Sequence, residues 1–176
     1  MNPLPTIRKD SLEEAAEVRR ELQLACFRVG VLHYGLDIMR IREIIRPLRI
    51  TPIPKSPTFV EGVINLRGAV IPVVDLRRRF DLDIPPDDRQ TRIIICALGG
   101  RVIGLKVDEV AEVRRYVRQD IQPAPHFIKG RDAEFFLGVC RRDEDLVMIL
   151  DLDRVLSSEE KIDLADLQSA VTAEKN

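Results

Sequence analysis

Five residues from the first half of the chain return in the second half, in the same order and at one fixed interval. Gly30, Gly35, Leu36, Glu43 and Arg46 reappear as Gly99, Gly104, Leu105, Glu112 and Arg115, each 69 positions on. Pro52 and Pro54 are answered by Pro123 and Pro125 at an interval of 71, and Gly62, Val63, Asp75 and Leu76 by Gly138, Val139, Asp151 and Leu152 at 76. The constant order and slowly growing offset mark two copies of one structural unit. Each copy reads as about five short β-rich segments and one short helix. Units of this kind hide their strand edges by closing into small barrels, so the expected architecture is mainly β, with two similar small barrels side by side. Divided along the repeat, the first barrel spans about 24–90 and the second about 91–158. A tail and helix precede them at 1–23, and a charged tail or helix follows at 159–176.

The stretch Gly62–Leu76, GVINLRGAVIPVVDL, shows the unit most clearly. Two β-branched runs flank the short polar break Asn65-Leu66-Arg67-Gly68, which predicts a hairpin. Gly68 supplies the positive φ that a tight turn asks for. Pro72 cannot donate to a sheet ladder and predicts an edge position or a bulge. Asp75 is placed to cap one helical turn over Arg77-Arg78-Arg79-Phe80. Arg67 then sits at the tip of an apolar hairpin.

Further hairpins are predicted around Gly99-Gly100, between Ile93–Cys96 and Val102–Val107, and around Arg141–Asp145, between Phe135–Cys140 and Leu146–Leu150. Proline-bearing connectors carry Pro47, Pro52, Pro54 and Pro57 in one copy and Pro123 and Pro125 in the other. Leu36–Ile45 is compatible with a short helix or an irregular strand. Residues 81–90, DLDIPPDDRQ, have linker composition. Ser11 and Glu14 form a capping box, predicting a helix to about Leu22 after a loose tail. Asp151-Leu152 predicts a helix through Leu156. Ile162, Leu164, Leu167 and Val171 follow at helical spacing.

Composition removes several function classes. With 28 Lys and Arg against 29 Asp and Glu, the chain lacks the basic footprint of a nucleic-acid binder. Trp is absent and aromatics are sparse, so stacking platforms for single strands are missing. Arg77-Arg78-Arg79 reads as a solvated face. No stretch reaches membrane-span length, and MNPLPTIRKD has no signal-peptide core. Cys26, Cys96 and Cys140 form no C-x-x-C pair and sit in apolar runs, as buried thiols of a cytosolic protein do. Asp151 and Asp153 lack the further ligands of a metal site. His33 and His126 have no nucleophile or metal partner, and no P-loop, G-x-S-x-G or zinc spacing occurs. Paired-carboxylate hydrolysis finds no support beyond surface composition. Neither a catalytic residue, a cofactor nor a metal ligand is assigned.

Taken together, Tyr34-Gly35-Leu36-Asp37-Ile38, Ile41-Arg42-Glu43-Ile44, Gly62–Gly68, Ile71–Leu76, Val107-Asp108-Glu109-Val110 and Ile121–Pro125 resemble the CheW family, the coupling proteins of bacterial chemosensory arrays. The resemblance covers about 24–158. It implies two five-stranded SH3-like barrels with an apolar groove between them and no catalysis. It further implies a cytoplasmic scaffold, held at the inner membrane through receptor arrays. Such a scaffold bridges the chemoreceptor's cytoplasmic tip and the CheW-like regulatory domain of the histidine kinase CheA. Contacts between CheW-like domains, including copies of this chain, belong to the same picture, and an array linker binding other CheW-like domains is the alternative. The helix at 10–22 is longer and more charged than a minimal member needs.

The resemblance places Arg67 at the family's receptor-contacting arginine, whose guanidinium makes fork-like bonds that Lys cannot reproduce. The other reading is a solvated turn residue or a local ion pair worth at most about 1 kcal/mol. Glu43 and Ile41 match positions near the same groove. Alternatively, Ile41 is core and Glu43 pairs with Arg42 or Arg46. Val110 and Val113 fall at the matching place in the second copy, or are ordinary strand core. With Asn65, Leu66 and Gly68 of the hairpin tip, these residues make up the expected partner-binding set.

Overall fold

A computed structural model of the protein describes residues 21–124 and 130–174. Its strands are β1 Glu21–Val29, β2 Leu32–Asp37, β3 Ile41–Ile45, β4 Val60–Leu66, β5 Ala69–Asp75, β6 Arg92–Leu98, β7 Arg101–Val107, β8 Glu109–Val117, β9 Phe136–Arg142 and β10 Asp145–Leu150. They form two five-stranded sheets, ordered β8-β1-β2-β10-β9 and β3-β6-β7-β5-β4. The chain is mainly β, as its sequence predicts.

The barrels do not follow the repeat. The second sheet is the continuous stretch from β3 to β7, and the first is assembled from β1 and β2 together with β8, β9 and β10. The division at 90/91 is therefore corrected. Each repeat gives its leading hairpin to one sheet and its last three strands to the other. The physical cause lies in the pairing. β8 finds β1 rather than β6, with Ala25 opposite Val113, and β3 finds β6, with Glu43 opposite Ile95. The chain passes between sheets at Ile38–Arg40 and at Asp108.

The proline-bearing connectors close each barrel across the gap left by the ladder. Thr51 and Val63 exchange backbone hydrogen bonds of 2.9 Å, and Gln122 and Val139 exchange bonds of 2.8 Å. This explains the repeated glycines. A Cβ on Gly62 would stand 2.2 Å from the Thr51 carbonyl oxygen, and one on Gly138 would stand 2.6 Å from that of Gln122. Pro72 lies neither on an edge strand nor at a bulge, because β5 is an inner strand. Its parallel ladder with β7 begins at Val73, so the missing N–H of Pro72 leaves no gap.

Three apolar clusters fill the molecule. Leu24, Cys26, Cys140, Val147 and Ile149 occupy the first barrel, and Ile64, Ile71, Val73, Ile93 and Ile95 the second. A larger cluster including Phe27, Tyr34, Leu76, Ile94, Leu105 and Val155 is shared by both. Side chains thus fill the seam between the barrels. All three cysteines are free and buried.

Several local expectations change. Leu36–Ile45 is strand, a 3-10 turn at Ile38–Arg40, then strand. Asp151–Leu156 forms turns rather than a helix, with the Arg154 and Val155 amides both donating to the Asp151 carbonyl. Glu21 and Leu22 open β1, so no helix reaches Leu22. The rest of the predicted N-terminal helix, and His126, lie outside the described residues. A helix, Ser158–Glu174, follows the second repeat.

The arginine triplet is not a solvated face. Arg77 is 1% exposed. It donates to both carboxylate oxygens of Asp75, to Asp108 Oδ1 and to the Pro85 carbonyl. Asp108 Oδ2 also accepts from the Gly30 amide at 2.7 Å, so the network joins the two barrels. Asp87 pairs with Lys106 at 2.8 Å and pins the 81–90 segment onto the second barrel. Arg79 lies over the rings of Phe59 and Phe135 and makes a forked pair with Glu160 at 2.7 and 2.9 Å. Of the three, Arg78 alone is exposed. Asp75 does cap its short helix, accepting from the Arg77 amide at 3.0 Å.

Candidate functional site

The β4–β5 hairpin turns on two residues, Arg67 with φ 50° and Gly68 with φ 88°. Two positive φ values define the type I′ turn that matches strand twist. Glycine suits the second position, and arginine accepts a conformation costing about 1 kcal/mol or more at the first. The Asn65 side chain accepts from the Gly68 amide at 2.9 Å and fixes the turn. Arg67 is thereby held out on a rigid tip, 70% exposed. Its guanidinium pairs with Glu43 of β3, so Glu43 takes neither Arg42 nor Arg46.

Beside this pair opens a groove of about 900 Å³. Its floor is apolar, made by Leu66, Ile71, Ile95 and Val102. Arg42, Glu43, Arg67, Arg101, which follows the Gly99-Gly100 turn, and Gln168 of the last helix also line it. The groove is lined by the second barrel and the last helix.

The expected partner-binding residues therefore separate. Glu43, Leu66 and Arg67 meet at the groove, with Asn65 and Gly68 shaping the turn behind them. Ile41 and Val110 instead pack, half-buried, against the shared core at the seam. Val113 is 58% exposed on the first sheet, away from the groove lining. Arg42, Arg101 and the last-helix residues are the part that sequence reasoning missed. Arg101 was legible in principle, since a Gly-Gly turn puts the next residue at a hairpin tip. Gln168 carried no such signal.

The first barrel holds a contrasting counterpart. Glu112, 69 positions after Glu43, accepts 2.7 Å hydrogen bonds from both Arg142 and Arg114. Those bonds hold its carboxyl below the usual range. The residue matching Arg67 is Asp143, also at positive φ, which pairs with Arg114 at 3.1 Å. The two hairpin tips thus carry opposite charges. Among the described residues no group of three or more His, Cys, Asp or Glu could hold a metal ion. No described helix is long and apolar enough to cross a membrane.

Two five-stranded sheets with a shared core, connector-closed barrels and a charged hairpin tip beside an apolar groove define a double-barrel module of the SH3-like type. The CheW-like domain profile matches residues 23–160, and the chain belongs to that family. It is 36% identical over 134 residues to the chemotaxis protein CheW of Klebsiella aerogenes, covering 76% of this chain and 81% of that protein. It is 37% identical over 139 residues to CheW of Rhizobium meliloti, covering 79% and 90%. FrzA of Myxococcus xanthus is 34% identical over 148 residues, covering 82% and 91%. Among solved structures, the scaffolding protein TtCheW of Thermoanaerobacter tengcongensis superposes with a TM-score of 0.72. That match has 34% identity and covers 79% of this chain and 94% of that one.

Proposed function

We propose that this chain is a non-catalytic scaffold that couples the cytoplasmic tip of a chemoreceptor to the regulatory domain of the histidine kinase CheA. The observation that carries the reading is Arg67, presented on a rigid turn beside an apolar groove and paired, among the described residues, across an exposed contact with Glu43. An exposed pair of this kind is worth at most about 1 kcal/mol, so a partner carboxylate can compete for the guanidinium at little cost. The apolar floor then takes side chains at helical spacing from the receptor tip. The scaffold works in the cytoplasm, at the inner membrane through the receptor array. It acts on the kinase by fixing its position relative to the receptor, so that a receptor movement biases the kinase between states.

The test is a titration of the purified chain with a receptor signalling-tip fragment and with the kinase regulatory domain, each repeated with Arg67→Glu. Both partners are expected to bind the native chain. The variant is expected to lose receptor affinity by tenfold or more while keeping the kinase domain and its unfolding midpoint. Unchanged receptor affinity in the variant would remove Arg67 from the contact. Binding of the kinase domain alone would favour an array linker.

A further inference from the structure

The groove beside Arg67 has a wall that lies beyond the residues matched to the family domain. The profile match ends at residue 160, whereas Gln168 and Ser169 of the Ser158–Glu174 helix line the groove. The helix is placed by definite contacts. Its start is capped reciprocally, with the Glu160 amide donating to Ser157 Oγ at 3.2 Å and the Ser157 amide to Glu160 Oε1 at 2.8 Å. Arg79 holds Glu160, and Leu164 is buried in the shared core. Farther along, Gln168 Nε2 donates to the Val70 carbonyl at 2.6 Å. That carbonyl is on the part of β5 that precedes its ladder with β7, which starts at Val73. The amide therefore ties the helix to β5 just ahead of that ladder.

The rim is also electrostatically one-sided. Arg42, Arg67 and Arg101 face the groove, against the single carboxylate of Glu43. That carboxylate is already engaged by Arg67. Among the described residues, Arg42 and Arg101 have no carboxylate partner.

We infer that the recognition surface extends past the hairpin onto Arg101 and the last helix, and that it takes a receptor segment bearing carboxylates beside apolar anchors. The inference rests on the receptor-coupling reading above and deepens it. Arg67 and Arg101, at the turns of neighbouring hairpins whose strands β5 and β7 run parallel, both meet acid on the bound segment. Gln168 holds the helix in place, and Ser169 beside it offers a neutral hydrogen-bonding group. This chain thus reads a broader face of its partner than the 23–160 domain alone could.

The experiment titrates the receptor signalling-tip fragment against the full chain, Arg67→Glu, Arg101→Glu, Gln168→Ala and a chain ending after Ala165. The kinase regulatory domain and the thermal midpoint serve as controls. Arg101→Glu is expected to weaken receptor binding about tenfold and to flatten its salt dependence. Gln168→Ala and the shortened chain are expected to weaken it threefold or more, with kinase-domain affinity unchanged. If Arg67→Glu loses the receptor but Arg101→Glu, Gln168→Ala and the shortened chain stay within twofold, the surface ends at the hairpin. The inference then fails while the coupling role stands. Tighter binding by the shortened chain would make the helix a competitor and overturn the inference. An unaffected Arg67→Glu, or no receptor binding at all, would overturn both.

Discussion

Gly62 and Gly138 are residues whose reason for being glycine lies far from them in sequence. Each faces the carbonyl of a connector that closes its barrel, at a distance no Cβ can share. Gly62→Ala is expected to destabilise the fold by about 2–4 kcal/mol, read from urea unfolding, because backbone on both sides must move. Arg77→Met should cost about 3–5 kcal/mol, since it removes the hydrogen-bonded cation of the buried Asp75 and Asp108 and leaves only the longer contacts to Arg78 and Arg28. The thiols make the opposite kind of case, inert by placement. Burial pushes Cys96 up to about 12, and burial together with Cys26 pushes Cys140 up to about 11. A thiol-specific reagent near neutral pH is expected to find no reactive cysteine in the native protein and three after denaturation. The burial of the cysteines was legible from their apolar neighbours. The burial of Arg77 and Arg79 was not. Three adjacent arginines carry the same local signal whether they face water or face Asp108, Glu160 and the rings of Phe59 and Phe135.

Among the elements, the hairpins were the legible part, because a turn and its two strands are local. Gly99-Gly100 and Arg67-Gly68 both turn where the sequence places them. Connectors and caps depend on distant partners and were less legible. The Asp151 segment, for example, forms turns where a helix is expected. The last helix carries a pH dependence of its own. Burial works to raise the Glu160 pKa, but hydrogen bonds from Ser157 and Arg79 outweigh it, and the net shift is downward. A carboxyl lowered on folding stabilises the folded state above its unfolded pKa, and that contribution is lost as pH falls through the folded value. Protection of the amides along Ser158–Glu174, relative to their intrinsic exchange rates, is therefore expected to fall at pH values below the ordinary Glu range, before protection in the strands does. Glu160→Gln should abolish that acid step. An acid transition uniform across helix and strands would show that Glu160 does not govern the docking.

At the scale of the whole molecule, the repeat was legible and the exchange of strands between its copies was not. Periodicity reports which residues are equivalent, but it does not report which copy each strand will pair with. The consequence can be measured by cutting the chain. A fragment of residues 41–107 contains every strand of the second sheet, whereas 24–90 and 91–158 each mix strands of both. Amide exchange is expected to show protected strands in the first fragment and none in the other two. The two passages between the barrels, at Ile38–Arg40 and Asp108, lie at matching places in the repeat. In mechanical terms, a single strap makes a hinge, but two straps flanking a filled joint make a clamp. The two barrels are thereby coupled as one body rather than as two bodies on a pivot.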